Sequence, residues 1–233
     1  MSSALQLMPV TGLGEIRRGD DLASLLAGAV TLQDGDVMVV TQKVVSKSEG
    51  RLVPVVHDDV DARLEVVLSE SVRVLRRRGE LVISETRHGF VCANAGVDLS
   101  NVDEGWAALL PEDPDRSARR LRHRLRVCAA AEVAVIVSDT FGRPWRRGVT
   151  DVAIGCAGIA AVLDLRGTPD DRGRTLVATE VCVADEIASA AELVMGKASG
   201  VPAAVVRGVD AGWFRPGSVS QEIVRPPAED LFR

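Results

Sequence analysis

Apolar residues follow two rhythms along this chain. Short unbroken runs, Val37-Met38-Val39-Val40, Leu81-Val82-Ile83, Val133-Ala134-Val135-Ile136-Val137 and Ala203-Ala204-Val205-Val206, are rich in β-branched side chains and read as buried strands. Between them, three- and four-residue spacing predicts helices over 22–30, 60–78, 115–128 and 185–195. Asp20-Asp21 supplies the start of the first helix, and Asp115 is the expected N-cap of the third, which is basic and amphipathic. Val152–Gly155 and Gly158–Leu163 are apolar but broken by glycine, which suggests closely packed strands or a bulge. From Pro216 the chain turns Pro- and charge-rich, so 216–233 reads as a tail or linker after a unit of residues 1–215.

Composition narrows the function classes. A length of 233 residues with 46% hydrophobic content suits one large domain or two interleaved ones. Aromatics are only 3%, with no Tyr, and the formal net charge is −5. Nucleic-acid binding by base stacking or a broad basic field is therefore not expected. Any polyanionic ligand must be met by a local cluster of cations. Cys92, Cys128, Cys156 and Cys182 form no C-x-x-C pair and read as small buried residues of a reducing compartment. His57, His88 and His123 lack zinc-ligand spacing, and His88 reads as a turn residue. No stretch has the length of a membrane span, and a cytoplasmic location is expected.

Candidate chemistry gathers where the apolar runs stop. Val133–Val137 gives way to Ser138-Asp139-Thr140, and Gly142 and Pro144 then force a turn that carries Arg143, Arg146 and Arg147. A carboxylate and a hydroxyl at the carboxyl end of a buried strand stand where open α/β sheets bind ligands. The pair suits a divalent cation, and the guanidinium groups suit phosphate. Asn94–Asn101 is dense in amides and carboxylate around Gly96, which serves either a ligand-gripping loop or an ordinary turn. Lys43 and Lys47 follow the Val37–Val40 run among hydroxyls, as anion ligands or as plain surface lysines. There is no Walker A loop, no G-x-G-x-x-G and no G-x-S-x-G elbow. Bringing a carboxylate up to a nucleotide phosphate costs about 4 kcal/mol per charge pair near 4 Å at moderate dielectric, and a metal held by aspartates removes that cost. The residues thus point to a metal-dependent enzyme acting on a nucleotide phosphate.

Seven strings carry a resemblance: GDDL (Gly19–Leu22), DGDVMVVTQKVVSKSEGRLV (Asp34–Val53), NAGVDLSNVDEG (Asn94–Gly105), LLPEDPDRSA (Leu109–Ala118), SDTFGRPWRRG (Ser138–Gly148), VADEIASAAELVMGK (Val183–Lys197) and VVRG (Val205–Gly208). In this order, across nearly the whole chain, they resemble the GTP-dependent F(420) γ-glutamyl ligase family, the coenzyme F(420)-0:L-glutamate ligases. The resemblance implies a mixed α/β (α+β) fold with two interleaved subdomains and a homodimer. It implies that GTP phosphorylates the lactyl carboxylate of F(420)-0 and that the amine of L-glutamate attacks the acyl phosphate, with longer γ-glutamyl tails as a further product. By motif, Asp98, Asp139 and Thr140 would hold Mg²⁺ or Mn²⁺, as two ions, with K⁺ also implied. Leu13, Gly14, Glu15, Ile16, Gln42, Lys43, Lys47, Asn101, Met195, Gly196 and Lys197 would contact GTP. Asp98, Asp139, Arg143 and Arg147 form the expected catalytic set.

Two departures accompany the resemblance. Lys197 stands where some family members carry an acidic metal ligand, which shifts the second ion onto Thr140, nucleotide oxygens or Glu192. The nitroreductase-like, FMN-binding domain of two-domain versions is not in this sequence, so no flavin is expected on the chain. Three other readings stay open: a GTP-binding subunit needing a partner domain, a related ligase for another carboxylate or amine, and a metal-dependent phosphatase.

Overall fold

The computed structural model describes residues 4–231. Among these the order is β1 (Gln6–Pro9), α1 (Leu22–Ala29), β2 (Val37–Thr41), α2 (Gln42–Glu49), β3 (Leu52–Pro54), α3 (Val60–Ser69), β4 (Ser71–Arg78), β5 (Leu81–Thr86) and β6 (Val91–Ala93). Then come β7 (Trp106–Ala108), α4 (Pro114–Ala129), β8 (Ala134–Gly142), β9 (Val149–Ala157), β10 (Leu163–Asp164), β11 (Glu180–Val181), α5 (Val183–Met195), β12 (Ala203–Arg207) and α6 (Val219–Glu222). The expected mixed α+β architecture is what the chain adopts.

The unbroken apolar runs become the middle of a five-stranded sheet in the order β1-β12-β2-β8-β9. Val37–Val40, Ala134–Val137 and Ala203–Val206 are all at most 1% exposed. Each buried valine contributes roughly 1.5–3 kcal/mol by leaving water, so three such runs side by side fix the centre of the core. β2 and β8 pair in parallel, while the other neighbours are antiparallel. Consequently β1, β2 and β8 end, and β9 and β12 begin, at the same edge of the sheet. Helices α4 and α5 pack on the sheet, and α1 packs on α4. A second sheet, β4-β5-β6, lies with α3 over a separate small cluster of Val67, Val82 and Ala95.

At the opposite edge, the fully buried Asp36 receives two guanidinium hydrogen bonds from Arg207 at 2.7 Å and one from the Gln33 N–H at 2.8 Å. That ties the start of β2 to the end of β12. The DGD and VVRG strings therefore include a structural clamp.

Several local expectations change. Residues 60–78 are not one helix: α3 ends at Ser69, and Ser71–Arg78 form a strand against β5. The spacing of Leu68 and Val72 is not used for burial, as they are 45% and 68% exposed. Backbone pairing with β5 outweighs their helical periodicity. β8 does not stop at Ser138 but runs to Gly142 as one arm of a hairpin with β9. The cap of α4 is Asp113, whose carboxylate accepts from the Arg116 N–H at 2.8 Å, not Asp115, which points inward. Gly158–Val162 is loop, with only Leu163–Asp164 extended. Cys92 and Cys156 are buried as expected, but Cys182 is half-buried and Cys128 is exposed. No described helix is long and apolar enough to cross a membrane.

Gly155 explains the glycine-broken run in β9. A Cβ there would meet the Pro114 backbone at 2.3 Å, so α4 can approach β9 only over a glycine. Gly155→Ala should destabilise the fold by about 1–3 kcal/mol through overpacking. Urea unfolding checks this, and an unchanged midpoint would contradict the close approach.

Candidate active site

The shared edge of the main sheet collects most of the predicted site residues. Leu13–Ile16 follow β1; Gln42, Lys43 and Lys47 lie on α2, directly after β2; Asp139 and Thr140 lie on β8; Met195-Gly196-Lys197 close α5 ahead of β12. Parallel pairing sets Thr41 beside Ser138, so the lysine-bearing helix starts next to the acidic strand end. Asp98 and Asn101 come from the loop after β6, held by a backbone bridge from Asp98 to Ala108.

Ion pairs join these segments. Lys43 Nζ lies 2.8 Å from the Asp98 carboxylate and donates to the Ser100 carbonyl at 2.6 Å and its hydroxyl at 2.8 Å. Lys47 is 8% exposed and pairs with Glu15. Buried Gln42 accepts from the Ser46 hydroxyl at 3.0 Å. Both lysines are thus partnered by carboxylates and held in place, unlike freely solvated surface lysines.

Asp139 has the most perturbed carboxyl group of the cluster. Burial pushes it up to about 7; the Thr140 N–H opposes this, the charges of Asp98 and Asp151 add to it, and Lys197 pulls against it. That Asp98 acts on Asp139 shows the two acidic loops converging. Burial, joined by the charge of Asp139, pushes Cys92 up to about 12, which puts β6 near the same carboxylate. At Asp98, burial raises the carboxyl, but the Lys43 ammonium and the Ser100 N–H outweigh it and hold the group below its ordinary range.

Asp151 was not singled out in the sequence, yet it is central here. It is 1% exposed and opposite Thr140 on β9. It accepts from Thr140 Oγ1 at 2.6 Å, Ser138 Oγ at 3.0 Å and Lys197 Nζ at 2.8 Å. Lys197 also donates to Thr140 and lies 3.2 Å from Glu192. The one available signal was a lone carboxylate one residue before the apolar stretch of a buried strand. Lys197 reaches this position because Gly196 adopts φ 64, ψ 162, a region essentially reserved for glycine.

The residues fit a cation bound together with phosphate oxygens. Among the described residues no three His, Cys, Asp or Glu side chains form a metal cage by themselves. Mg²⁺ sites on nucleotides need only one or two carboxylates, completed by water and phosphate. Asp98 and Asp139 supply that number, and Thr140 adds a hydroxyl oxygen. Arg143, Arg146 and Arg147 lie beyond them in the exposed β8–β9 turn. His88 is not part of the cluster: its Nε2 faces the Pro111 and Glu112 carbonyls at 2.9 and 3.2 Å, and burial pushes its pKa down.

A cavity of about 900 Å³ lies elsewhere, at the opposite edge of the sheet among Arg122, Arg126, Arg207 and Arg215. Their charges are already met by Glu132, Asp36 and Glu222. The acidic cluster, not this cavity, carries the unbalanced chemistry.

The fold and this cluster define a mixed α+β protein with paired acidic and basic side chains gathered at the carboxyl ends of two parallel strands. The family model described as F(420)-0:Gamma-glutamyl ligase matches residues 12–208, and the chain belongs to that family. It is 42% identical to a Coenzyme F(420):L-glutamate ligase of Methanothermobacter thermautotrophicus, over 98% of this chain and 99% of that protein. It is 43% identical to proteins of the same name from Methanopyrus kandleri, over 98% of both chains, and from Archaeoglobus fulgidus, over 98% of this chain and 96% of that one.

Proposed function

We propose that this chain joins L-glutamate to the lactyl carboxylate of F(420)-0 at the expense of GTP, giving F(420)-1, GDP and phosphate. Family membership and full-length likeness to proteins named as ligases support the amide-forming reaction. The geometric observation that carries the reading is the gathering of four motif segments at one sheet edge, with Lys43 tying Asp98 to them.

In this reading Leu13–Ile16, Gln42, Lys43, Lys47, Asn101 and Met195–Lys197 hold the nucleotide. Asp98, Asp139 and Thr140 hold Mg²⁺ or Mn²⁺, with a second divalent ion and K⁺ in the same phosphate region. Such ions neutralise phosphate charge so that a carboxylate can approach. Arg143 and Arg147 meet the phosphoryl group in transfer. A carboxylate oxygen of F(420)-0 attacks the γ-phosphorus as the bond to the GDP oxygen breaks. The glutamate amine then attacks the acyl carbon; phosphate leaves with the electrons of the C–O bond, and the amine proton passes to solvent. A cytoplasmic homodimer is the form that goes with this reading.

Lys197 favours a second reading, GTP binding without turnover, because its ammonium already occupies the Thr140–Asp151 position. Incubation of the purified chain with GTP, Mn²⁺, L-glutamate and F(420)-0, followed by mass spectrometry, decides between them. A product heavier by one glutamyl unit, dependent on all four components, is expected. GTP binding with no such product would reject the ligase.

A further inference from the structure

The string VADEIASAAELVMGK gives only its last three residues to the nucleotide in the proposed reaction, yet its helix also grips the strand that carries Asp151. Strands β8 and β9 pair with Val137 opposite Gly155 and then with Ser138 opposite Ala153, so Ile154 has no counterpart. That extra residue is a β-bulge, and it decides which face Asp151 occupies. Carried on unbroken, the register of Val135–Val137 would set Val152 opposite Thr140 and Asp151 opposite Phe141. Neighbouring residues of a strand point to opposite faces, so Asp151 would then turn away from Ser138, Thr140 and Lys197. The bulge brings it among them, and it accepts from all three.

Helix α5 holds the bulge along one stripe. Asp185, Ser189 and Glu192 follow one another at four and three residues, the spacing of a single helix face. Half-buried Asp185 accepts from the Ala153 N–H at 2.8 Å, at the bulge itself. Ser189 donates to the Asp151 carbonyl at 2.7 Å, and its hydroxyl lies 3.1 Å from that of Thr150. Glu192 meets Lys197 at 3.2 Å. One helix thus fixes the register of the carboxylate and delivers the ammonium that pairs with it.

We propose that Asp185 is a positioning residue of the site. By accepting from Ala153 it holds the β9 bulge, and through the bulge it sets Asp151 and Lys197 beside the nucleotide phosphates. It touches no substrate itself. This rests on the reading that GTP and its cation bind at the cluster.

Calorimetric titration of GTP with Mn²⁺ into wild type, Asp185→Ala, Asp185→Asn, Asp151→Asn and the double variant Asp185→Ala/Asp151→Asn tests it, with urea unfolding of each. Asp185→Ala should bind about tenfold more weakly, while Asp185→Asn, which keeps an acceptor oxygen, should stay within about twofold of wild type. In the Asp151→Asn background the alanine change should cost less than about twofold in affinity, because the residue it acts through is already disabled; its cost in urea should remain. Ser189→Ala, which frees the Asp151 carbonyl but leaves the Ala153 bond, should weaken binding about threefold and lose that effect in the same background; it carries the comparison if Asp185→Ala does not fold. Equal losses of affinity in both backgrounds would make Asp185 a merely structural residue and overturn the inference. So would unchanged affinity in Asp185→Ala, or an asparagine that fails to restore binding. Wild-type chain that binds GTP but forms no glutamyl product would reject the ligase reading and leave this one standing, whereas a chain that binds no GTP would sink both.

Discussion

Asp139→Asn should lower turnover at least about a thousandfold, the scale lost when the group fixing phosphate-neutralising charge is removed. The substitution keeps the shape of the side chain but not its ability to hold a cation. Its effect on stability runs the other way. The free carboxyl titrates near 3.8, and burial, joined by the charges of Asp98 and Asp151, lifts it in the fold to about 7. Between those values the native state keeps a proton that the unfolded chain has released. Wild-type stability without metal therefore falls as pH rises across this window and levels off above it. The asparagine variant lacks that decline and should exceed wild type by on the order of 3 kcal/mol near pH 8, an advantage that shrinks toward pH 4. Manganese should stabilise wild type and not the variant, as a ligand binding only the native state must. Urea titrations at the two pH values, with and without Mn²⁺, read both effects. Near-normal turnover in the variant would remove the metal role from Asp139.

Asp115→Ala should produce the largest loss of stability, about 3–5 kcal/mol of a total that is about 5–15 for ordinary domains. This buried carboxylate gathers three strands of argument about the fold. It accepts from the Cys156 N–H at 2.9 Å, from the Val219 and Ser220 N–H groups at 3.0 Å, and from the Ser218 and Ser220 hydroxyls at 2.8 and 2.9 Å. Helix α4, strand β9 and the start of α6 meet on one side chain. Truncation leaves buried N–H groups without an acceptor. Burial alone would raise this carboxyl, but the hydrogen bonds from Cys156, Ser220, Val219 and Ser218 outweigh it and hold it below the ordinary range. Its contribution is accordingly present above the unfolded value and is lost as pH falls through the lower folded one. Thermal unfolding at neutral pH should show a drop of roughly 10 °C. A drop under about 1 kcal/mol would mean that the C-terminal segment docks without it.

Asp115 also shows where local reading stops. In sequence it stands two residues after Asp113, beside a proline, and both aspartates look like caps. Only the approach of Val219 from 104 positions away turns one of them inward. Asp139 and Thr140 were legible because a buried run ends in a carboxylate and a hydroxyl. Asp98 was legible as a loop too polar for helix or strand. Asp151 was not, because one carboxylate in a strand says nothing until Thr140, Ser138 and Lys197 are seen around it. Lys43 and Lys47 could be counted but not interpreted, since their acid partners Asp98 and Glu15 lie 55 and 32 positions away in the chain.

From the order of residues alone came the alternation of apolar strands with helices, the turn at Gly142–Pro144, the acidic and basic groups of the site, and the family. Side-chain period and backbone preference are local, so they can be read locally. The tertiary structure decided that β1, β2 and β8 finish at one edge where β12 begins, that residues 71–78 pair as a strand, and that Asp139 is left without a lysine while Asp98 and Asp151 each hold one. Which charges neutralise one another depends on distances across the sheet, and only the completed packing sets those distances.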